Sequence, residues 1–152
     1  MADEDPVRDE RARQFFERYA EENPYASLLL KQHLMIEELL DEIVLSVCKK
    51  PEIARRARLS FTQKYHLARA IDGHETHLWS GVEKLNEARN ALAHRSDLAV
   101  LEGKIDSFIQ TMLANYPRLR GSMNGERITD LSAAGAGLCG GMARVAVEHV
   151  GA

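Results

Sequence analysis

The stretch Ile36-Glu-Glu-Leu-Leu-Asp-Glu-Ile-Val-Leu-Ser-Val47 decides the fold class. Its apolar residues, Ile36, Leu39, Leu40, Ile43, Val44 and Val47, recur three and four apart, a spacing that lines one face of a helix and alternates on no strand. The pattern predicts a helix from about Ser27 to Lys49 with a wide core stripe. Opposite that stripe stand Glu37, Glu38, Asp41 and Glu42, whose like charges repel mildly unless cations from another element lie close. They read as an acidic face rather than a metal site.

Working outward, Pro6, Pro24, Pro51 and Pro117 all fall at the edges of segments with the same periodicity, where a missing amide is tolerated. A helix is expected from Pro6 to Glu22, burying Phe15, Phe16 and Tyr19. Another should run from Pro51 to Ile71 with Ile53, Ala57, Phe61, Ala68 and Ile71 inward, ending at Asp72-Gly73. A further helix is expected from His77 to Ala93. The next, from Leu98 to Asn115, aligns Leu101, Ile105, Phe108, Ile109 and Met112. No segment has strand period. The expected fold is all-α, an antiparallel bundle of about five helices. Residues 1–120 should form the bundle, and 121–152 a Gly/Ala-rich tail of loop plus a weak helix from about Asp130 to Val150.

At 152 residues the chain is long enough for a self-sufficient core, and 45% hydrophobic with 28% charged residues is the balance of a globular protein. No apolar run approaches the ~20 residues of a membrane span, and the acidic start, Met1-Ala-Asp-Glu-Asp5, is unlike a signal peptide. A cytoplasmic protein with no membrane partner is expected. Cys48 and Cys139 lack paired spacing and read as small buried residues. The net charge of -3 conceals a basic segment. Between Lys49 and Ile71, Lys49, Lys50, Arg55, Arg56, Arg58, Lys64 and Arg69 face Glu52 alone, enough positive charge to meet phosphates or simply to form a solvated face.

Two motifs mislead. Gly135, Gly137 and Gly140 spell G-x-G-x-x-G, but no strand precedes them, so a dinucleotide site is not expected. His74-Glu75-Thr76-His77 spaces its histidines three apart where zinc proteases need four, and it follows a turn signal; capping and solvent exposure fit it better. No metal and no cofactor are expected.

The chemistry concentrates in the helix after these. Its apolar stripe steps Leu78, Val82, Leu85, position 89, Leu92, and position 89 is arginine. A guanidinium on a core-facing stripe must find an anion or an opening. Beside it Asn86, Asn90 and His94 form a polar row four residues apart. In the structural reading, Arg89 pairs with Glu38 or Glu42 while Asn90 and His94 finish the helix end. In the functional one, Arg89 and His94, about 140° apart around the axis at ~100° per residue, converge on one cleft because arginine is long and His94 ends the helix. There the imidazole exchanges a proton near neutral pH while arginine neutralises charge on a phosphorane, which suits phosphodiester cleavage without a metal.

Leu85-Asn-Glu-Ala-Arg-Asn-Ala-Leu-Ala-His94 resembles the signature of the HEPN superfamily: arginine, a polar residue, a short spacer, then histidine near the end of a bundle helix. The segments around His33 to Val44 and Leu59-Ser-Phe61 to Leu67-Ala68 are also similar to helices of that superfamily, so the likeness covers about residues 27–116. It implies a helical bundle that forms a homodimer, with Arg89, Asn90 and His94 at the dimer cleft. It also implies metal-independent endoribonuclease activity in a toxin, antiphage or RNA-processing setting. Lys49, Lys50, Arg55, Arg56, Arg58 and Lys64 would then guide RNA, and a protein antitoxin or regulatory partner is implied. Ser96 stands where some toxin members carry a modified tyrosine, so that mode of control is not expected. Members resembling the mannitol operon repressor imply the alternative, a non-catalytic regulatory or protein-binding module.

Overall fold

The computed structural model describes residues 10, 11, 13, 14 and 23–150. The expected helix from Pro6 to Glu22, with Phe15, Phe16 and Tyr19, lies outside the described residues apart from an exposed Arg13–Glu10 ion pair at 2.6 Å. The remainder is all-helical: α1 (Ala26–Ser46), α2 (Pro51–Ala54), α3 (Phe61–Asp72), α4 (Leu78–Ala93), α5 (Leu98–Asn115) and α6 (Arg127–Val150), with 3-10 turns at Arg55–Ala57 and Pro117–Ser122. Among the described residues no helix is long and apolar enough to cross a membrane.

The core lies where the α1 periodicity puts it. Ile36, Leu40, Ile43 and Val44 are buried in one core with Trp79, Leu85, Phe108 and Met112, while Val47, just past the end of the helix, is 60% exposed. α1 packs on α3, α4 and α6, and α5 packs on α4 and α6. The acidic face does recruit a cation from another element: Lys64 of α3 donates to Glu37 at 3.0 Å and to Asp41 at 3.2 Å. Burial works against the Lys64 charge, but these two carboxylates overcome it and hold the ammonium above its ordinary range.

The expected helix from Pro51 to Ile71 is two helices. Arg58 adopts a left-handed conformation at φ 51°, and the chain restarts at Ser60. The Ser60 Oγ accepts from the Gln63 amide at 3.2 Å, and the Gln63 side chain accepts from the Ser60 amide at 2.9 Å, a reciprocal capping box. Because the break resets the helical phase, Ile53 and Ala57 are exposed, whereas Tyr65 and Ala68 are buried.

The Gly/Ala-rich tail is a full partner in the bundle. α6 buries Leu131, Ala134, Leu138, Met142 and Ala146 on one face, so packing overrides weak helix propensity. Its start is pinned by Arg127, which donates to both Asp106 oxygens at 2.8 and 3.0 Å and also to Glu102. Its end is held by His149, whose Nε2 lies 2.9 Å from the buried Asp72 carboxylate. Two glycines of the G-x-G-x-x-G pattern serve this packing: a Cβ on Gly135 would fall 2.0 Å from the Gln32 amide, and one on Gly137 would fall 2.7 Å from Leu119. Gly140 faces open space. Both cysteines are free; Cys139 is buried, which raises its thiol, and Cys48 is half-buried.

Candidate functional site

Arg89 is placed by the register of α4. Leu78, Val82, Leu85 and Leu92 face the core as the stripe predicts, but Ala88 occupies the fully buried position between Leu85 and Leu92. The arginine is thereby turned to the edge of the core, where it lines an open groove of about 610 Å³ beside α1 together with Lys31, His33, Leu34, Glu37 and Glu38. Among the described residues Arg89 makes no ion pair, so the pairing with Glu38 or Glu42 that the structural reading expects is not found. The Arg89 Nε–H is buried and finds no acceptor among the described residues.

The imidazole that lines this groove with Arg89 is His33 of α1. Its Nε2 lies 3.0 Å from Asn86 Oδ1 on α4, and its ring stacks on Phe61 of α3 at a centroid distance of 4.1 Å. His33 is buried, and burial pushes its titration below the ordinary range. The Asn86 hydrogen bond opposes that shift, the positive charge of Arg89 adds to it, and the Glu37 carboxylate opposes it again. Sequence reasoning missed His33 as a site residue, although a signal was present: with Ile36 and Leu40 it continues the α1 stripe at spacings of three and four.

Asn90 and His94 are exposed. His94 is the residue at which α4 stops. The chain reverses at Arg95, held at φ 53°, with the Ser96 amide donating to Ala91 O at 3.1 Å and the Arg95 amide to Leu92 O at 3.2 Å. This closes the helix in the double hydrogen-bond pattern that ordinarily uses glycine. The closure fixes His94 at the end of α4, about 140° around the axis from Arg89. His94 does not line the groove that holds Arg89. Of the polar row, Asn86 alone turns toward the groove's histidine, and Asn90 and His94 face solvent.

The basic segment divides. Lys49, Lys50, Arg55, Arg56 and Arg58 are exposed around the corner formed by α2 and the following 3-10 turn. Lys64 stands apart from them, its side chain 16% exposed and occupied by Glu37 and Asp41. In the His74-to-His77 segment, His74 is exposed with Nδ1 3.3 Å from Asp72, and Thr76 Oγ1 accepts from the Leu78 amide at 3.3 Å. Among the described residues no group of three or more His, Cys, Asp or Glu is placed to hold a metal ion.

No protein-family model, curated protein or solved structure matches the chain.

Proposed function

We propose that this protein is an endoribonuclease of HEPN type that acts as a homodimer without a metal, in a toxin or antiphage setting. The observation that carries the reading is Arg89: a permanently charged side chain that lines a groove large enough for a nucleotide, its Nε–H buried without an acceptor among the described residues. A phosphate oxygen in that groove would accept from the guanidinium. In this reading Arg89 neutralises charge growing on the phosphorane, and Asn90 helps to orient the backbone. His94 takes the proton of the attacking 2′-hydroxyl or protonates the leaving oxygen. The 2′-oxygen bonds to phosphorus as the bond to the 5′-oxygen breaks, leaving a 2′,3′-cyclic phosphate.

Dimerisation is part of the proposal because Arg89 and His94 diverge within one chain. A two-fold axis brings the His94 of one protomer toward the Arg89 groove of its partner. The rim of that groove carries Leu34 and Met35, 59% and 43% exposed, which a second copy would cover. The exposed cations at Lys49, Lys50, Arg55, Arg56 and Arg58 are suited to guiding RNA.

The divergence of Arg89 and His94 also favours a second reading, a non-catalytic regulatory or protein-binding module in which both side chains serve an interface. Mixed RNA incubated with the purified protein and a chelator separates the two. The nuclease reading expects fragments ending in 2′,3′-cyclic phosphate, with cutting abolished by Arg89→Ala and by His94→Ala in variants that remain folded and dimeric. Intact RNA, or cutting that survives both substitutions, overturns it.

A further inference from the structure

We infer that the groove between α1 and α4 is an oxyanion site for a phosphodiester, in which Arg89 is the permanent donor and His33 the second, proton-dependent one. The inference rests on the reading of Arg89 as a phosphate ligand and adds a residue and a linkage to it.

The geometry supplies both donors. Arg89 and His33 share the lining of one open groove, and the Arg89 Nε–H is buried without an acceptor among the described residues, so an anion in the groove meets the remaining N–H groups of the guanidinium. The His33 Nε2 is taken by Asn86 Oδ1, an acceptor, so the hydrogen of a neutral ring belongs on Nε2 and the other nitrogen has none to give. Protonation adds that missing N–H. The hydrogen bond to Asn86 and the stacking on Phe61 hold the ring in place at the groove wall.

The charges around His33 make the uptake of a proton depend on the anion. From α4 it faces Arg89, whose charge disfavours the imidazolium, and from α1 it faces Glu37, which favours it. Glu37 is already neutralised by Lys64 of α3 at 3.0 Å. Lys31 adds positive charge to the groove wall, Arg13 on that wall is paired with Glu10, and Glu38 is exposed on its α1 side. An anion on Arg89 cancels the repulsion that keeps His33 neutral, and by reciprocity a protonated His33 tightens the anion. Affinity therefore rises as pH falls, by at most about tenfold per unit for one linked proton.

The test uses the full chain and dimethyl phosphate, a phosphodiester monoanion that does not itself titrate in this range, followed through the imidazole and guanidinium nitrogen signals. Dimethyl phosphate is expected to shift the Arg89 and His33 signals together, to bind more tightly at pH 6 than at pH 8, and to lose at least tenfold in affinity in Arg89→Gln. His33→Gln should lose the pH dependence. Where that variant does not fold, titration of His33 in Arg89→Gln replaces it: the ring should take up its proton at higher pH than in the parent chain and no longer respond to dimethyl phosphate. Unchanged binding in Arg89→Gln, pH dependence that survives His33→Gln, or a His33 titration indifferent to Arg89 overturns the inference. Binding as described without any RNA cleavage would remove the nuclease reading and leave this one standing. Cleavage that requires His94 while His33 ignores the anion would do the reverse.

Discussion

The Nε2 of His149 meets the carboxylate of Asp72 at 2.9 Å, tying the last turn of α6 to the end of α3. Asp72 also accepts from Trp79 Nε1 at 3.4 Å and lies 3.3 Å from His74 Nδ1, so one buried carboxylate joins three helices and a loop. Burial raises its titration, and the hydrogen bonds from His149, His74 and Trp79 outweigh that and hold it below the ordinary carboxylate range. Asp72→Ala strands the Trp79 and His149 donors and is expected to cost roughly 2–4 kcal/mol in denaturant unfolding.

The same carboxylate sets an acid limit. A group whose folded-state value is depressed contributes stability that is fully present above its unfolded value, near ~3.9 for aspartate, and lost as pH falls through the folded one. The parent chain should lose stability steeply below about pH 4, and Asp72→Ala should show a shallower acid slope in the same pH series. Equal slopes would mean that Asp72 is not held in its ionised form by the fold.

The approach of α1 to α6 depends on a missing side chain. At Gly135 a Cβ would overlap the Gln32 amide, whose Nε2 donates to Leu131 O at 3.0 Å. Gly135→Ala should therefore cost about 1–3 kcal/mol through overpacking. Gly140→Ala, with nothing within 4 Å, should be neutral or gain up to about 1 kcal/mol from helix propensity. Thermal midpoints of the pair check this; a stabilised Gly135→Ala would show that the two helices do not approach so closely.

The break between α2 and α3 rests on Ser60 and Gln63. Ser60→Ala is expected to cost about 0.5–2 kcal/mol, read as a shift in denaturant midpoint at constant slope. A change near zero would mean that the α3 start is set by packing alone.

Much of the fold was legible in the sequence because helical periodicity and proline placement are local signals. α5 spans Leu98–Asn115 as its stripe and the following Pro117 predict, and α1 falls within three residues of its expected bounds. The failures have physical causes. The capping box at Ser60 was present in the sequence but masked by apolar residues that continue on both sides of it. α6 was underrated because glycine propensity was weighed without the Leu131, Ala134, Leu138, Met142, Ala146 stripe that packing rewards. At the candidate site, Arg89 was legible as a charge on an apolar stripe. His33 was legible only as a member of the α1 stripe, because its partners Asn86 and Phe61 come from other helices and only tertiary packing brings them together.

A partly buried guanidinium with an unsatisfied Nε–H is a liability for folding, retained where function uses it. Arg89→Met, similar in reach and without a donor to satisfy, is expected to match or exceed the parent chain in stability, by up to about 2 kcal/mol, in thermal unfolding. Marked destabilisation would show that Arg89 contributes to the fold through its charge.

The most direct measurement is a single-turnover assay of the parent chain and Arg89→Met on a single-stranded RNA oligomer in a chelator, with both proteins shown to be folded dimers. Cleavage to 2′,3′-cyclic phosphate ends by the parent chain and none by Arg89→Met is the expected result. Equal cleavage by both, or none by either, would contradict the role given to Arg89.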